Sequence, residues 1–461
     1  MSILAAVAVP HPPIIMPEVG HGEEKKIQKT IDAYREVMRR VAALKPDTVV
    51  VISPHSTMYA DYFHISPGKQ AKGDFGSFGA PQVQLAVQYD EQFAQTLGDA
   101  CMEEDIPAGP MGDRQPNLDH GTLIPLRYLS EQMDLPPVVR IGLSGLPARM
   151  HYRLGQHIRE TAEKLGRNVL LVASGDLSHK LKADGPYGFA AQGPAFDALA
   201  TKALGEGDFL SLLDVDPGLA DGAAECGLRS YWIMAGALDR TAVETELLSY
   251  EGPFGVGYGV AWIHPTGTDA SRNLGDQLEE VTEKKIRGIR NNEDDFVKLA
   301  RLSLETYVET HVRQPVPDGL PAELTEKRSG AFVSIHKDGA LRGCIGTFLP
   351  TQQCLAEEIA RNAVSAGLQD PRFDSVTAEE LPYLVYNVDV LSTPEPIDSP
   401  KELDVKKYGV IVQNGDRRGL LLPDLDGVDT VQQQIAIARR KANIGDRERV
   451  NLWRFTVERH H

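Results

Sequence analysis

Ile3-Leu4-Ala5-Ala6-Val7-Ala8-Val9 is an unbroken apolar run that stops at Pro10-His11-Pro12-Pro13. A run without polar alternation suits a strand buried on both faces, which is the habit of parallel sheets covered by helices. The same grammar returns at Thr48 to Ile52, Val138 to Leu143 and Asn168 to Ala173. Between these runs lie stretches with helical spacing. Lys26 to Leu44 places Ile27, Ile31, Tyr34, Met38 and Val41 on one face, and Met150 to Leu165 and Phe196 to Ala203 follow suit. Residues 1–264 are therefore expected to form an α/β domain, layered around a largely parallel sheet.

From Pro265 to Leu278 the chain turns polar, and residues 265–284 are expected to be a linker. Residues 285–461 follow a different pattern, expected to be α+β. A helix from Asp295 to Thr310 precedes a hairpin, Ala331 to His336 and Leu341 to Phe348, about the turn Asp338-Gly339. A helix from Cys354 to Leu368 comes next, then strands at Tyr383 to Leu391, Gly409 to Gln413 and Gly419 to Leu422. A helix from Thr430 to Ala442 and one last strand, Val450 to Val457, complete the domain.

At 461 residues the chain exceeds the roughly 100–200 residues of an ordinary domain, in keeping with two domains. Its 48 Lys and Arg stand against 65 Asp and Glu, and no basic stripe could neutralise a phosphate backbone, so nucleic acid is not an expected partner. Nowhere do about 18 apolar residues run together, so no membrane partner is expected either. The four cysteines form no C-x-x-C pair, and the apolar start lacks a basic flank; both fit a cytoplasmic protein with reduced thiols. A homo-oligomeric state is left open.

The chemistry lies in the histidines. His11 follows the first strand, His55 follows the second in Ser53-Pro54-His55, and His179 closes Ser174-Gly175-Asp176-Leu177-Ser178-His179 after another. Carboxyl ends of strands are where open α/β sheets bind ligands, so three imidazoles there point to one crevice. Two imidazoles with one carboxylate and open positions are the ligand set of non-heme ferrous oxygenases. The best carboxylate candidate is Glu225, in Ala224-Glu225-Cys226-Gly227-Leu228-Arg229, at the opening of an apolar helical run. Glu225 there equally suits a carboxylate favoured by a helix N-terminus. His120, in Asn117-Leu118-Asp119-His120-Gly121, is a fourth candidate, with Asp119 readable as a helix cap.

Val9-Pro10-His11-Pro12, Ser53-Pro54-His55, Asp119-His120-Gly121 with Ile124-Pro125-Leu126, Gly175-Asp176-Leu177-Ser178-His179 and Gly252-Pro253-Phe254-Gly255-Val256-Gly257-Tyr258 together resemble the class III extradiol ring-cleavage dioxygenase family, catalytic-subunit type, and its Memo-type relatives. The resemblance covers residues 1–264. It implies a ferrous ion, Fe(II), held by His11, His55 and Glu225, with His120 and His179 handling protons, and a small catechol-like diol and O2 as substrates. Memo-type relatives carry a thiolate in place of the carboxylate, which makes Cys226 the alternative to the favoured Glu225. Two other functions stay open: a metal-binding regulatory or scaffold protein, and a zinc (Zn) hydrolase, since this donor set also suits zinc with an activated water.

Leu341-Arg342-Gly343-Cys344-Ile345-Gly346-Thr347, Asp370-Pro371-Arg372-Phe373 and Gly419-Leu420-Leu421-Leu422-Pro423 resemble the AMMECR family. That resemblance implies a radical S-adenosylmethionine protein as a companion, although the chain has no cysteine triad for a cluster of its own. Here Arg342, Arg372 and Asp370 are candidates for holding a small anion, and Cys344 is read as a buried filler rather than a nucleophile. Phe63, Phe75, Phe78 and Tyr258 are candidates for the wall of the N-terminal pocket.

Overall fold

A computed structural model of the chain describes residues 2–114, 117–425 and 427–461. The chain divides into two compact units, Met1–Glu280 and Val281–His461.

The first unit is built on a six-stranded sheet. Its strands are β1 (Ile3–Val9), β2 (Thr48–Ser53), β3 (Val138–Gly142), β4 (Val169–Ser174), β5 (Thr241–Glu251) and β6 (Tyr258–Thr268), in the order β3-β2-β4-β1-β6-β5. β3, β2, β4 and β1 are parallel, and β6 and β5 join antiparallel. Every residue of β2, β3 and β4 is buried, Arg140 of β3 included, as largely apolar runs covered on both faces require. Six helices cover the two faces: α1 (Gln28–Leu44), α2 (Glu91–Glu103), α3 (His120–Ser130), α4 (Ala148–Leu165), α5 (Gln192–Glu206) and α6 (Leu228–Ala237). β1 sends Ala5, Val7 and Val9 into one core with Tyr34, Val37 and Met38 of α1. It sends Ala6 and Ala8 into the other, with Leu154 of α4, Phe196 of α5 and Ile233 of α6; Ile3 joins that core as well because the register shifts between Ile3 and Ala5. The period-two alternation of one strand thus serves two cores.

The stretch expected as a linker is structured. β6 runs to Thr268, a 3-10 turn covers Ala270–Arg272, and a helix spans Leu274–Asn292. Its polarity reflects the exposed end of a strand and an amphipathic helix.

The second unit holds two four-stranded antiparallel sheets. The helix Asp295–Thr310 begins where Asp294 caps the Phe296 and Val297 amides. The hairpin Ala331–Lys337/Ala340–Gly346 turns through Asp338 and Gly339, both at positive φ (52° and 77°), which only Asp, Asn and Gly adopt readily. The expected last strand is in fact two: Asn451–Phe455 pairs in one sheet and Val457–His460 in the other. A continuous apolar-polar pattern carries no mark of a change of partner.

α4 and α6 cross through glycines. A Cβ on Gly155 would meet the Ile233 carbonyl oxygen at 2.0 Å, and one on Gly236 the Tyr152 carbonyl oxygen at 1.8 Å. Gly155→Ala and Gly236→Ala are each expected to destabilise the first unit by about 1–3 kcal/mol, despite alanine's better helix propensity. Urea unfolding is the measurement. Gly288→Ala, in the helix Leu274–Asn292 with nothing within 4 Å of the added methyl, should be neutral or slightly stabilising.

Candidate metal centre

The register of the parallel pair β1 and β4 sets Val9 opposite Ser174, so the loops that leave both strands start side by side. His11 follows on one and Asp176 on the other, and the His11 amide donates to Asp176 Oδ1 at 2.7 Å. The His11 ring is buried and its Nδ1 lies 2.9 Å from Ser174 Oγ. Because that hydroxyl donates its one hydrogen to the Gly121 carbonyl at 2.7 Å, it accepts from His11. The proton is therefore on Nδ1, and the Nε2 lone pair faces outward, as second-sphere hydrogen bonds do for metal-binding imidazoles.

Nε2 of His11 lies 3.0 Å from Nε2 of His55 and 3.6 Å from Sγ of Cys226. The three ligand atoms lie within 4.8 Å of one another. Nitrogen bonds of about 2.0–2.1 Å and a sulfur bond of about 2.3 Å around a tetrahedral ion would separate such atoms by roughly 3.3–3.6 Å, so these residues fit a single transition-metal ion. Cys226 is held by the Asp176 amide, which donates to Sγ at 3.2 Å, and by its own amide donating to the Asp176 carbonyl at 3.3 Å. Two glycines allow this approach: a Cβ on Gly175 would stand 2.1 Å from Gly227 Cα.

Glu225 points elsewhere. Its Oε2 accepts from the Leu228 amide at 2.6 Å at the start of α6, the helix-terminus role that its position also suited. Consecutive residues rarely aim at one point, and here it is the thiol of Cys226 that joins the histidines. Burial raises the Glu225 carboxyl to about 7 and pushes the Cys226 thiol well above its ordinary value.

His120 and His179 stand beside this cluster without belonging to it. His120 is the first residue of α3, and Asp119 caps that helix by accepting from the Thr122 amide at 3.0 Å. Asp119 also accepts from Ser53 Oγ at 2.5 Å, and the buried Arg140 guanidinium lies 3.7 Å away. Ser53 in turn accepts from the His55 amide at 3.2 Å, so Asp119 ties the His55 and His120 loops together. The His120 ring is 4.0 Å from that of His55 and 5.2 Å from that of Phe78, between centroids. Burial, then the neighbouring His55 and His11, lower its pKa to about 3. His179 is shifted downward too, first by burial, and stacks on Tyr187 at 5.1 Å. Both shifts favour the neutral ring.

These groups open onto a cavity of about 680 Å³. His11, His55, His120 and His179 line it, with an aromatic wall of Phe78, Tyr187, Phe254 and Tyr258. Phe63 and Phe75, also candidates for that wall, lie in the two cores instead. Sequence reading overlooked Ser174, Arg140 and Tyr187. A serine ending a wholly apolar strand was the available signal for the first, and an arginine inside the run Val138 to Leu143 for the second.

In the second unit the candidate anion site is already neutralised. Arg342 forms a double hydrogen bond to Glu380, both at 2.9 Å, and Arg372 pairs with Asp370 at 2.7 Å. Asp370 also accepts from the Cys344 amide, while Cys344 Sγ takes a bond from Ser334 Oγ at 3.2 Å.

Residues 5–261 match the family model described as the catalytic LigB subunit of aromatic ring-opening dioxygenase, and residues 297–460 match AMMECR1. The chain belongs to the LigB family and carries an AMMECR1 domain in the same polypeptide. It is similar to protein CA_C1420 of Clostridium acetobutylicum, 38% identical over 100% of this chain and 99% of that one. A Thermotoga maritima protein is 52% identical over 36% of this chain and 98% of its own. Among solved structures, uncharacterized protein PH0010 from Pyrococcus horikoshii is 32% identical over 36% of this chain and 88% of that chain, with a TM-score of 0.34. No helix among the described residues is long and apolar enough to cross a membrane.

His151 of α4 lies in the core against Phe63 and Trp232, and burial lowers its pKa to about 3. The unfolded chain takes up a proton there near 6.5 and the folded chain does not, so this residue's contribution to stability is present above 6.5 and declines as pH falls toward 3. His151→Phe should therefore gain stability relative to the parent as pH drops from 7 to 4, measured as the difference in urea midpoints.

Proposed function

We propose that His11, His55 and Cys226 would hold a single metal ion and that the protein, loaded with ferrous iron, is an oxygenase for a catechol-like or related small diol with O2 as co-substrate. The observation that carries this reading is that His11 and His55, whose ligand atoms lie within 4.8 Å of each other and of Cys226 Sγ, line one cavity together with two further histidines and an aromatic wall. The metal would supply Lewis acidity toward the diol hydroxyls and a site for O2. LigB dioxygenases are typically metal-dependent, which agrees with the donor set.

The chain's own residues do the rest. Phe78, Phe254 and Tyr258 offer apolar surface to a ring and keep water from it. His179 and His120 carry free ring nitrogens at the cavity, and a neutral imidazole accepts a hydroxyl proton and returns it later. Neither is tied up as a ligand, so each remains able to change protonation. Ser174 holds His11 in its one useful tautomer, and Asp119 steadies the loops of His55 and His120.

A thiolate donor also favours a second reading. Sulfur with two imidazoles suits zinc as well as iron, and a zinc-filled site would make this unit a metal-binding regulatory protein or a hydrolase. Metal analysis of protein purified without air, followed by oxygen-electrode assays on a panel of diols, separates the two. Iron with diol-dependent O2 uptake supports the oxygenase; tightly held zinc with no uptake on any diol overturns it.

His11→Ala, His55→Ala and Cys226→Ala should each lose the metal, while Glu225→Gln should keep a full equivalent; the reverse result for the last pair would return the ligand role to Glu225. His179→Ala and His120→Ala should keep the metal and lose turnover, on the order of 100-fold to 10,000-fold for a general acid or base. Metal content measured beside rate reads both.

A further inference from the structure

The segment Gly252-Pro253-Phe254-Gly255-Val256-Gly257-Tyr258 has so far supplied only cavity wall, yet its backbone is bonded to the His179 loop at three points. The Leu177 amide donates to the Gly257 carbonyl at 2.9 Å, the Gly257 amide to the Ser178 carbonyl at 2.8 Å, and the Leu181 amide to the Gly255 carbonyl at 3.1 Å. Into this ladder α5 inserts one charged group. Asp197 is 2% exposed, and its Oδ1 accepts from the Ser178 amide at 2.7 Å, one residue before His179. Its Oδ2 accepts from the Tyr250 hydroxyl of β5 at 2.6 Å.

Gly257 makes room for it. A Cβ there would stand 2.1 Å from Asp197 Oδ2, so any side chain would push the carboxylate off the loop. On the far side His179 itself is bonded through its amide to the Ala223 carbonyl at 3.0 Å, and Ser178 Oγ donates to the same oxygen at 3.0 Å. The loop is thus gripped between the chain that leads to Cys226 and a buried carboxylate. A buried carboxylate is costly unless its hydrogen bonds do something that a smaller or apolar residue could not. Here one bond fixes the Ser178 amide, one residue before His179, and the other ties the carboxylate to Tyr250.

We propose that Asp197 is a positioning residue for His179, acting through the Ser178 amide and held in place by Tyr250. The inference rests on the reading of His179 as the group that handles protons at the metal centre. Asp197 touches neither the ligand cluster nor the cavity, so its effect is on the aim of the imidazole and not on metal affinity. Misplacement of a reacting group by about 1 Å can cost on the order of 100-fold in rate, which sets the scale of effect open to such a residue.

The test uses the full chain loaded with zinc and labelled with carbon-13 at histidine Cε1, with the His179 resonance assigned by its loss in His179→Gln. Asp197→Asn is expected to shift the His179 resonance, to leave those of His11 and His55 in place and to retain one equivalent of zinc. In the iron-loaded protein it should lower kcat about 10-fold to 100-fold at unchanged KM. Tyr250→Phe, which spares the bond to Ser178, should shift the same resonance less and cost about threefold. If Asp197→Asn does not fold, Tyr250→Phe decides on the same resonance. An unmoved His179 signal, or loss of zinc in step with any shift, overturns the proposal. Should the parent protein consume no O2 with any diol, the oxygenase reading falls, and the zinc-loaded spectra still decide whether Asp197 aims the His179 ring.

Discussion

The pairing of Val9 with Ser174 across two parallel strands is the constraint on which the candidate metal centre depends. It brings the two loops into step, and the Gly175 amide completes the match by donating to the Val9 carbonyl at 3.0 Å. A slip of one residue would turn Ser174 to the other face of the sheet and leave His11 Nδ1 without a partner. Both cores would suffer as well, because alternate residues of β1 serve opposite faces. The apolar requirement of the sheet and the geometry of the site are therefore satisfied by one register.

Most of the architecture could be read from the chain because parallel strands buried on both faces leave an unmistakable mark. The four runs ending near His11, His55, Gly142 and Ser174 became the four parallel strands, and the helix Asp295–Thr310 carries its own cap in Asp294. The antiparallel edge formed by β5 and β6 was harder to see, since β5 mixes polar and apolar residues with only partial burial. The helix Leu274–Asn292 hid behind its charged residues, as exposed helices do.

For the site, the histidines were legible, and the side chain that joins His11 and His55 was not. His11, His55, His120 and His179 announce themselves by following strands or opening a helix. Glu225 and Cys226 are neighbours, and only the backbone path between Ala224, at φ 52°, and the start of α6 decides which side chain turns inward. Such a choice is made by a dihedral and by the contact of Gly175 with Gly227, neither of which is a matter of residue chemistry. Arg140 and Asp197 escaped notice for a related reason: each acts from a distance in sequence, and its partners are known only once the loops are in place.

The burial that raises the Cys226 thiol gives the centre a chemical guard. A thiol in that state is a poor nucleophile and a slow target for peroxide, since oxidants attack the thiolate. Were a cation held between His11, His55 and Cys226, as proposed, its binding would displace the thiol proton, so capture would release a proton to solvent and acid would compete with metal for the same sulfur.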